Sequence, residues 1–392
     1  SGGIASLTNT AVFENCANYG EILTDDANRG LFWGYNGSVH TWKNSVAGGK
    51  VGTYNNGSPV YDSYTEEEKV KYLGVFKAGV DSVLENITYL VGTTEPGAGE
   101  GEAELSILFI GNSFTKDAVE HLPGLLKAAG LDKVQLTHMY YGGRLVSEYY
   151  AGWSTSSDYK CYECGPGATT WTETTGKTLK QVAESRSWDI ITIQEHTGNA
   201  AAWTWNSTAQ TNLQGLINSA KATQTGAMPK FYYIMSQAYF NMGKIGSGSK
   251  PSMTWTDQAG MWEVIASFGK KVMENVSFDG IISTGAMLQN LRTSPLDNEM
   301  NLTRDGYHMD NGISRYGAAC TVFETLITPK YGIKLDSNSY RYAVENTSTS
   351  AYCTPVTDAN APVALKAARY AIANPYVVTD MSDVKEDLPG NS

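Results

Sequence analysis

From Leu105 onward, short apolar runs alternate with stretches whose apolar residues recur every three or four positions. Runs of four to seven apolar residues bounded by polar ones suit strands buried on both faces, whereas the three- and four-residue spacing suits helices with one buried stripe. This pattern predicts strands at 105–110, 134–140, 189–194, 230–236 and 280–283, and helices near 117–129, 177–186, 207–224, 255–275, 283–293 and 312–328. Strand–helix alternation implies an α/β fold, a parallel sheet with helices on both faces. In such sheets ligands bind beyond the carboxyl ends of the strands. The stretch 159–176 breaks the rhythm with alternating Tyr, Cys, Thr and Trp around Gly165-Pro166-Gly167. It predicts a β-hairpin inserted in a loop, placed to wall a cleft.

The chain before Leu105 has a different texture. Residues 1–64 are rich in Asn, Gly and Tyr with short β-like pieces, and their first part resembles one coil of the Gly- and Asn-punctuated β-solenoid repeats of bacterial surface proteins. In 65–90, Val70, Leu73, Phe76, Val80, Leu84 and Ile87 follow a helical spacing. Thr65 ahead of Glu66, Glu67 and Glu68 supplies an N-cap and an acidic first turn, so an amphipathic helix is expected there. A Gly-, Glu- and Thr-rich stretch at 91–105 reads as a linker. Three parts follow: a small β-rich, solenoid-like region at 1–64, a helix and linker at 65–103, and a large α/β domain at 104–385.

Composition narrows the function classes. Lys and Arg total 29 against 40 Asp and Glu, a net charge of −11, with no local basic cluster, which argues against nucleic acid and anionic lipid as partners. No apolar run approaches the roughly 18 residues of a membrane span. The 24 tyrosines and 9 tryptophans suit either sugar-stacking surfaces or ordinary cores. Cys161 and Cys164 lack the further ligands that a zinc site needs, which leaves a neutral thiol pair or a local disulfide. The start at Ser1 instead of Met, the low Lys content and the polar N-terminal region lead to an expectation of export to the periplasm or cell surface.

Candidate chemistry centres on "ILFIGNSFTKD", where Ser113 follows the first strand of the α/β region and a helix opens soon after. The hydroxyl then stands at the sheet end where sites form, with backbone N–H groups near the helix start aimed at the same space; capping a turn is the plainer alternative. A nucleophilic serine needs a base. Of the five histidines, His40, His121 and His138 fall in positions that suit structural roles. His308 lies in the Gly-punctuated loop "NLTRDGYHMDNG", three residues after Asp305. A turn of that spacing brings a carboxylate to one imidazole nitrogen and leaves the other for the serine. Competing motifs are absent: no Gly-x-Ser-x-Gly elbow, no phosphate-cradling Gly-rich loop between a strand and a helix, and no His-Glu-x-x-His.

These blocks resemble those of the SGNH (GDSL-type) hydrolases. "FIGNSFT" is similar to their first block, with Asn112 in place of the usual Asp, and "DGYH" to their last. The closest likeness is to a bacterial branch that also carries a Gly-Gly turn, here Gly142-Gly143, and a Trp-Asp-x-x-x-x-Gln strand, here within "SWDIITIQE". The resemblance covers roughly 104–330. It implies a three-layer α/β/α sandwich of flavodoxin-like type and ester hydrolysis needing no metal or other cofactor. Ser113 would be the nucleophile, His308 the base and then acid, and Asp305 the group that orients it. An oxyanion hole would draw on the N–H groups of Ser113 and Gly143 and on a side-chain donor from the third block. There "IQEHTGN" replaces Gly-x-Asn-Asp, so Gln194 is the expected donor, with His196 or Asn199 as alternatives. Asn112, Gly142, Glu195 and His196 are the expected substrate contacts. The expected substrate is a small acyl ester or an O-acetylated glycan. The competing expectations are a catalytically silent glycan-binding surface protein and a flavodoxin-like nucleotide binder.

Overall fold

The computed structural model describes residues 103–202, 205–240 and 257–384 and, ahead of them, the backbone of eleven short strands between residues 12 and 89. The chain divides into two compact units, Ser1–Ala98 and Gly99–Ser392.

In the first unit, Val12–Glu14, Thr41–Lys43 and Val83–Glu85 pair in parallel, with Trp42 in register with both Phe13 and Leu84. Ala17–Asn18, Val46–Ala47 and Thr88–Tyr89 form a second parallel trio. Glu21–Leu23 pairs with Lys50–Asn55, and Tyr35–Asn36 with Val75–Phe76. Successive passes of the chain thus pair strand on strand in the same order, the pattern of a β-solenoid with three passes where the sequence suggested one. This corrects the helix expected over 65–90. Its described pieces are the strands Val75–Phe76, Val83–Glu85 and Thr88–Tyr89, and the rest of it, Thr65 and its acidic turn included, lies outside the described residues. Stacking overrode the helical spacing: Val83-Leu84-Glu85-Asn86 repeats the texture of Val12-Phe13-Glu14-Asn15 and Thr41-Trp42-Lys43-Asn44.

The second unit is an α/β fold, a mixed seven-strand sheet flanked by helices. Its strands are Leu105–Gly111 (β1), Val134–Tyr140 (β2), Lys160–Cys164 (β3), Thr172–Thr175 (β4), Ile190–Gln194 (β5), Lys230–Ile234 (β6) and Gly280–Ile282 (β7), in the order β4-β3-β2-β1-β5-β6-β7. β2, β1, β5, β6 and β7 run parallel. All seven residues of β1 are buried, as a central strand covered on both faces requires. β3 and β4 form the expected hairpin, which extends the sheet edge antiparallel to β2.

The helices are Ser113–Val119 (α1), Leu122–Ala128 (α2), Val146–Ala151 (α3), Leu179–Glu184 (α4), Thr197–Ala202 (α5), Ser207–Lys221 (α6), Gln258–Asn275 (α7), Thr284–Arg292 (α8), Ile313–Leu326 (α9), Thr328–Tyr331 (α10) and Ala361–Ala373 (α11). They pack as two sets: α9 touches α1, α2, α8 and α11, while α6 touches α3 and α4, and α5 touches α7. The single helix expected at 117–129 is two. Pro123 has no N–H to give and its ring opposes the carbonyl of Val119, so the chain breaks at Glu120–His121 and restarts. The first of the two, α1, begins at Ser113 itself, with Asn112 as its cap. Among the described residues no helix is long and apolar enough to cross a membrane.

Cys161 and Cys164 both lie on β3, three residues apart. Side chains at that separation in a strand face opposite ways with Cα atoms roughly 10 Å apart, beyond the reach of a disulfide. The local bridge is therefore ruled out. Burial pushes the Cys164 thiol up to about 12, so it is neutral.

Candidate active site

The parallel strands run β2-β1-β5, so the chain leaves β1 and β5 toward opposite faces and opens a crevice between their carboxyl ends. Ser113 stands at that crevice. Asn112, in extended conformation, caps α1 by accepting the Phe114 N–H at 3.1 Å, and its amide donates to the Arg144 carbonyl at 3.3 Å. Gly111 is required by close approach: a Cβ there would fall 2.1 Å from Thr115 Oγ1 and 2.9 Å from Gln194 Oε1. His138 Nε2 lies 3.0 Å from the Gly111 carbonyl and steadies it; burial lowers this histidine to about 3, so it is a neutral donor. His121 is likewise buried and structural, between the Tyr340 hydroxyl and the Asn311 carbonyl. His40 lies outside the described residues.

The second half of the site comes from the loop ahead of α9. Thr303 and Met309 bridge antiparallel, and the Arg304 N–H donates to the His308 carbonyl at 3.0 Å, which closes a tight loop. Gly306, at φ +97°, makes the turn at its tip, a conformation open to glycine and strained for other residues. Asp305 Oδ1 accepts the backbone N–H groups of Tyr307 and His308 at 3.2 and 2.8 Å. Its Oδ2 lies 2.7 Å from His308 Nδ1, and His308 Nε2 lies 2.7 Å from Ser113 Oγ. Burial pushes Asp305 up, but the hydrogen bonds from the His308 ring and backbone outweigh it and hold the carboxyl below its usual range. An ionised carboxylate only accepts, so Nδ1 carries the proton and Nε2 is free to accept from the serine hydroxyl.

Aromatic rings flank the imidazole. Phe114 and Tyr307 lie 5.2 and 4.4 Å from the His308 ring, centroid to centroid, and Tyr239 lies 5.8 Å from Tyr307. Tyr307 is 37% exposed, so one wall of the site is an aromatic ring open to solvent.

The other expected residues divide. Gly143, at φ +70°, and Gly142 are exposed on the turn after β2. Among the described residues no acceptor takes the Gly143 or the Ser113 N–H. Gln194 is different from its expected role. It is fully buried, its Oε1 accepts from the Asn112 N–H at 3.1 Å and the Thr115 hydroxyl at 3.2 Å, and its amide nitrogen donates to the Glu195 carbonyl. The amide is spent on joining β1 to β5 and does not serve the crevice. Asn112 is likewise a buried tie instead of a substrate contact. Glu195 is buried, and its Oε1 accepts the Val146 and His196 N–H groups at 3.2 and 2.8 Å, which fixes the start of α3; burial raises it to about 7. His196 accepts the Asn199 N–H on Nδ1 at 3.3 Å, which leaves Nε2 as the protonated nitrogen, and its ring sits 6.4 Å from Phe114. Burial lowers it, so it is neutral.

Sequence reasoning missed Asp117, Arg304 and Arg315, a buried ionic cluster behind the loop, and Gln237, whose amide donates to the Tyr307 carbonyl at 2.9 Å. The available signal was an acidic residue four positions after Ser113, on the same helix face and among apolar neighbours.

Comparison with known proteins gives a family. No curated protein matches the chain. A solved DUF4886 family protein from Bacteroides uniformis aligns at 26% identity over 72% of this chain and 99% of its own, with a TM-score of 0.59. A gut microbial diltiazem-metabolizing enzyme aligns at 11% identity over 61% of this chain and 48% of its own, with a TM-score of 0.34. The model of the domain of unknown function DUF4886 matches residues 106–358, most of the second unit, and the chain belongs to that family.

Proposed function

We propose that this protein is a serine ester hydrolase of SGNH type that works through an acyl-enzyme without a metal. The observation that carries the reading is the line Ser113 Oγ, His308 Nε2, His308 Nδ1, Asp305 Oδ2, with both hydrogen bonds at 2.7 Å and the first joining residues 195 positions apart. A silent binding protein has no use for that alignment.

In the reaction, Ser113 Oγ attacks the acyl carbonyl as its proton passes to His308 Nε2, and Asp305 stabilises the imidazolium. The Ser113 and Gly143 N–H groups stabilise the carbonyl oxygen as it gains charge. His308 then gives its proton to the leaving alcohol oxygen. Water, deprotonated by His308, attacks the acyl-enzyme carbonyl, and the collapse returns the proton to Ser113 with release of the carboxylic acid. Gln194 does not contribute a donor in this scheme, and His196 contacts substrate. The exposed face of Tyr307 beside the base favours an alcohol portion with a flat apolar face, as an O-acetylated sugar has.

Turnover of para-nitrophenyl acetate by wild type and by Ser113→Ala tests the reading. A loss of about 10³-fold or more is expected, and equal rates reject Ser113 as nucleophile.

A further inference from the structure

Behind the loop that carries Asp305 and His308, the structure places a charged cluster that takes no direct part in the chemistry. Asp117 is fully buried one turn after Ser113 on α1. Residues four apart lie on one face of a helix, so hydroxyl and carboxylate point the same way. Asp117 Oδ1 accepts from Arg304 Nη1 and from Arg315 Nε, both at 2.9 Å, with Arg315 Nη2 2.7 Å away as an ion pair, and Oδ2 accepts the Met309 N–H at 3.1 Å. Arg304 and Met309 are the two feet of the loop, and Arg304 Nη1 also reaches the Met309 carbonyl. Arg315 stands on α9, just after the loop, and its attraction to Asp117 holds it above the usual arginine value against the opposing effect of burial.

We infer that Asp117 is a positioning residue for the reaction: it clamps both feet of the 304–309 loop to the helix that bears Ser113, and so sets the distance between nucleophile and base. The inference rests on the hydrolase reading above. Its physical basis is that the Ser113–His308 bond joins two segments far apart in the chain, and one side-chain hydrogen bond is by itself a weak constraint on their register. Asp117 adds three bonds of the same helix to the same loop and its flank. A carboxylate is suited to this because it accepts from two cations and a backbone N–H at once, and because it is buried, where unpaired charge is costly. An asparagine there retains one acceptor oxygen and loses the charge that both arginines need.

Asp117→Asn should therefore lower kcat for para-nitrophenyl acetate by about 10²-fold, the cost of a misplacement near 1 Å, with KM within about twofold. Circular dichroism and thermal melting at the assay temperature establish that the variant is folded. A low-field proton resonance from His308 Nδ1–H in its bond to Asp305 should be present in wild type and in Ser113→Ala, and broadened or shifted in Asp117→Asn; a role in bulk stability alone does not move it in folded protein. If Asp117→Asn does not fold, Arg304→Gln decides, because it releases one foot and leaves the Met309 bond; the same kcat loss with unchanged KM supports the clamp. Wild-type kcat in a folded Asp117→Asn, or in Arg304→Gln, overturns it while Ser113→Ala remains inactive and the hydrolase reading stands. Full activity of Ser113→Ala overturns both.

Discussion

Asp305→Asn isolates what the carboxylate does. Asp305 and His308 side chains are 20% and 17% exposed, an intermediate setting between water and a dry interior. As the imidazolium forms, the two charges stand roughly 4 Å apart between centres, and at an effective dielectric near 20 their attraction is about 4 kcal/mol, or about 10³ in rate. A second loss comes from the proton's location. Asparagine can still accept the Tyr307 and His308 backbone N–H groups through its carbonyl, which turns its NH2 toward Nδ1 and favours the imidazole with its proton on Nε2, facing Ser113. The serine then has no acceptor, for about another tenfold. A fall in kcat of about 10³ to 10⁴ is expected, with KM within about threefold, measured by para-nitrophenyl acetate turnover on protein shown to be folded. A folded variant that keeps more than a tenth of wild-type kcat refutes the reasoning.

Two further expectations concern the scaffold of the site. His138 is depressed to about 3 by burial, so its contribution to stability is complete above pH 6.5 and is lost as pH falls toward the folded value. The stability difference between wild type and His138→Gln should shrink by about 1.4 kcal/mol per pH unit from 6.5 down to 4 in urea titrations, and a pH-independent difference contradicts a buried neutral imidazole. Glu195 and Asp310, raised to about 7 and about 6, act with the opposite sign and cancel from the comparison because both proteins contain them. Gln194→Met strips the acceptor from two buried donors, the Asn112 N–H and the Thr115 hydroxyl, and should cost about 2–6 kcal/mol in denaturant unfolding; unchanged stability would return Gln194 to the oxyanion hole.

Much of the second unit was legible because its strands are buried on both faces. Leu105 to Ile110 and Ile190 to Ile193 are apolar apart from Ser106 and Thr192, and their type does not depend on their neighbours. The Asp305–His308 pairing was legible for a local reason, since a three-residue turn with Gly306 at its tip joins the two groups without help from the rest of the chain. What depended on distant partners was not legible. Gln194 looked like a donor for the site, yet its partners, Asn112 and Thr115, lie about 80 positions earlier. Asp117 carried no mark of its role until Arg304, Met309 and Arg315 were brought to it. The segment 65–90 misled in the opposite sense, because its apolar spacing fitted a helix while stacking against earlier passes made its described pieces strands. α11, Ala361–Ala373, was missed although Pro362 in its first turn and six alanines marked it.

The most direct test of the hydrolase reading is covalent capture of the nucleophile. Wild type, Ser113→Ala and His308→Ala are treated with a fluorophosphonate, digested, and mapped by mass spectrometry. The expected result is a single adduct on Ser113 in wild type, none in Ser113→Ala, and labelling at least about 10²-fold slower in His308→Ala. Wild type that stays unlabelled at Ser113, or that labels equally fast without His308, contradicts a serine activated by that imidazole.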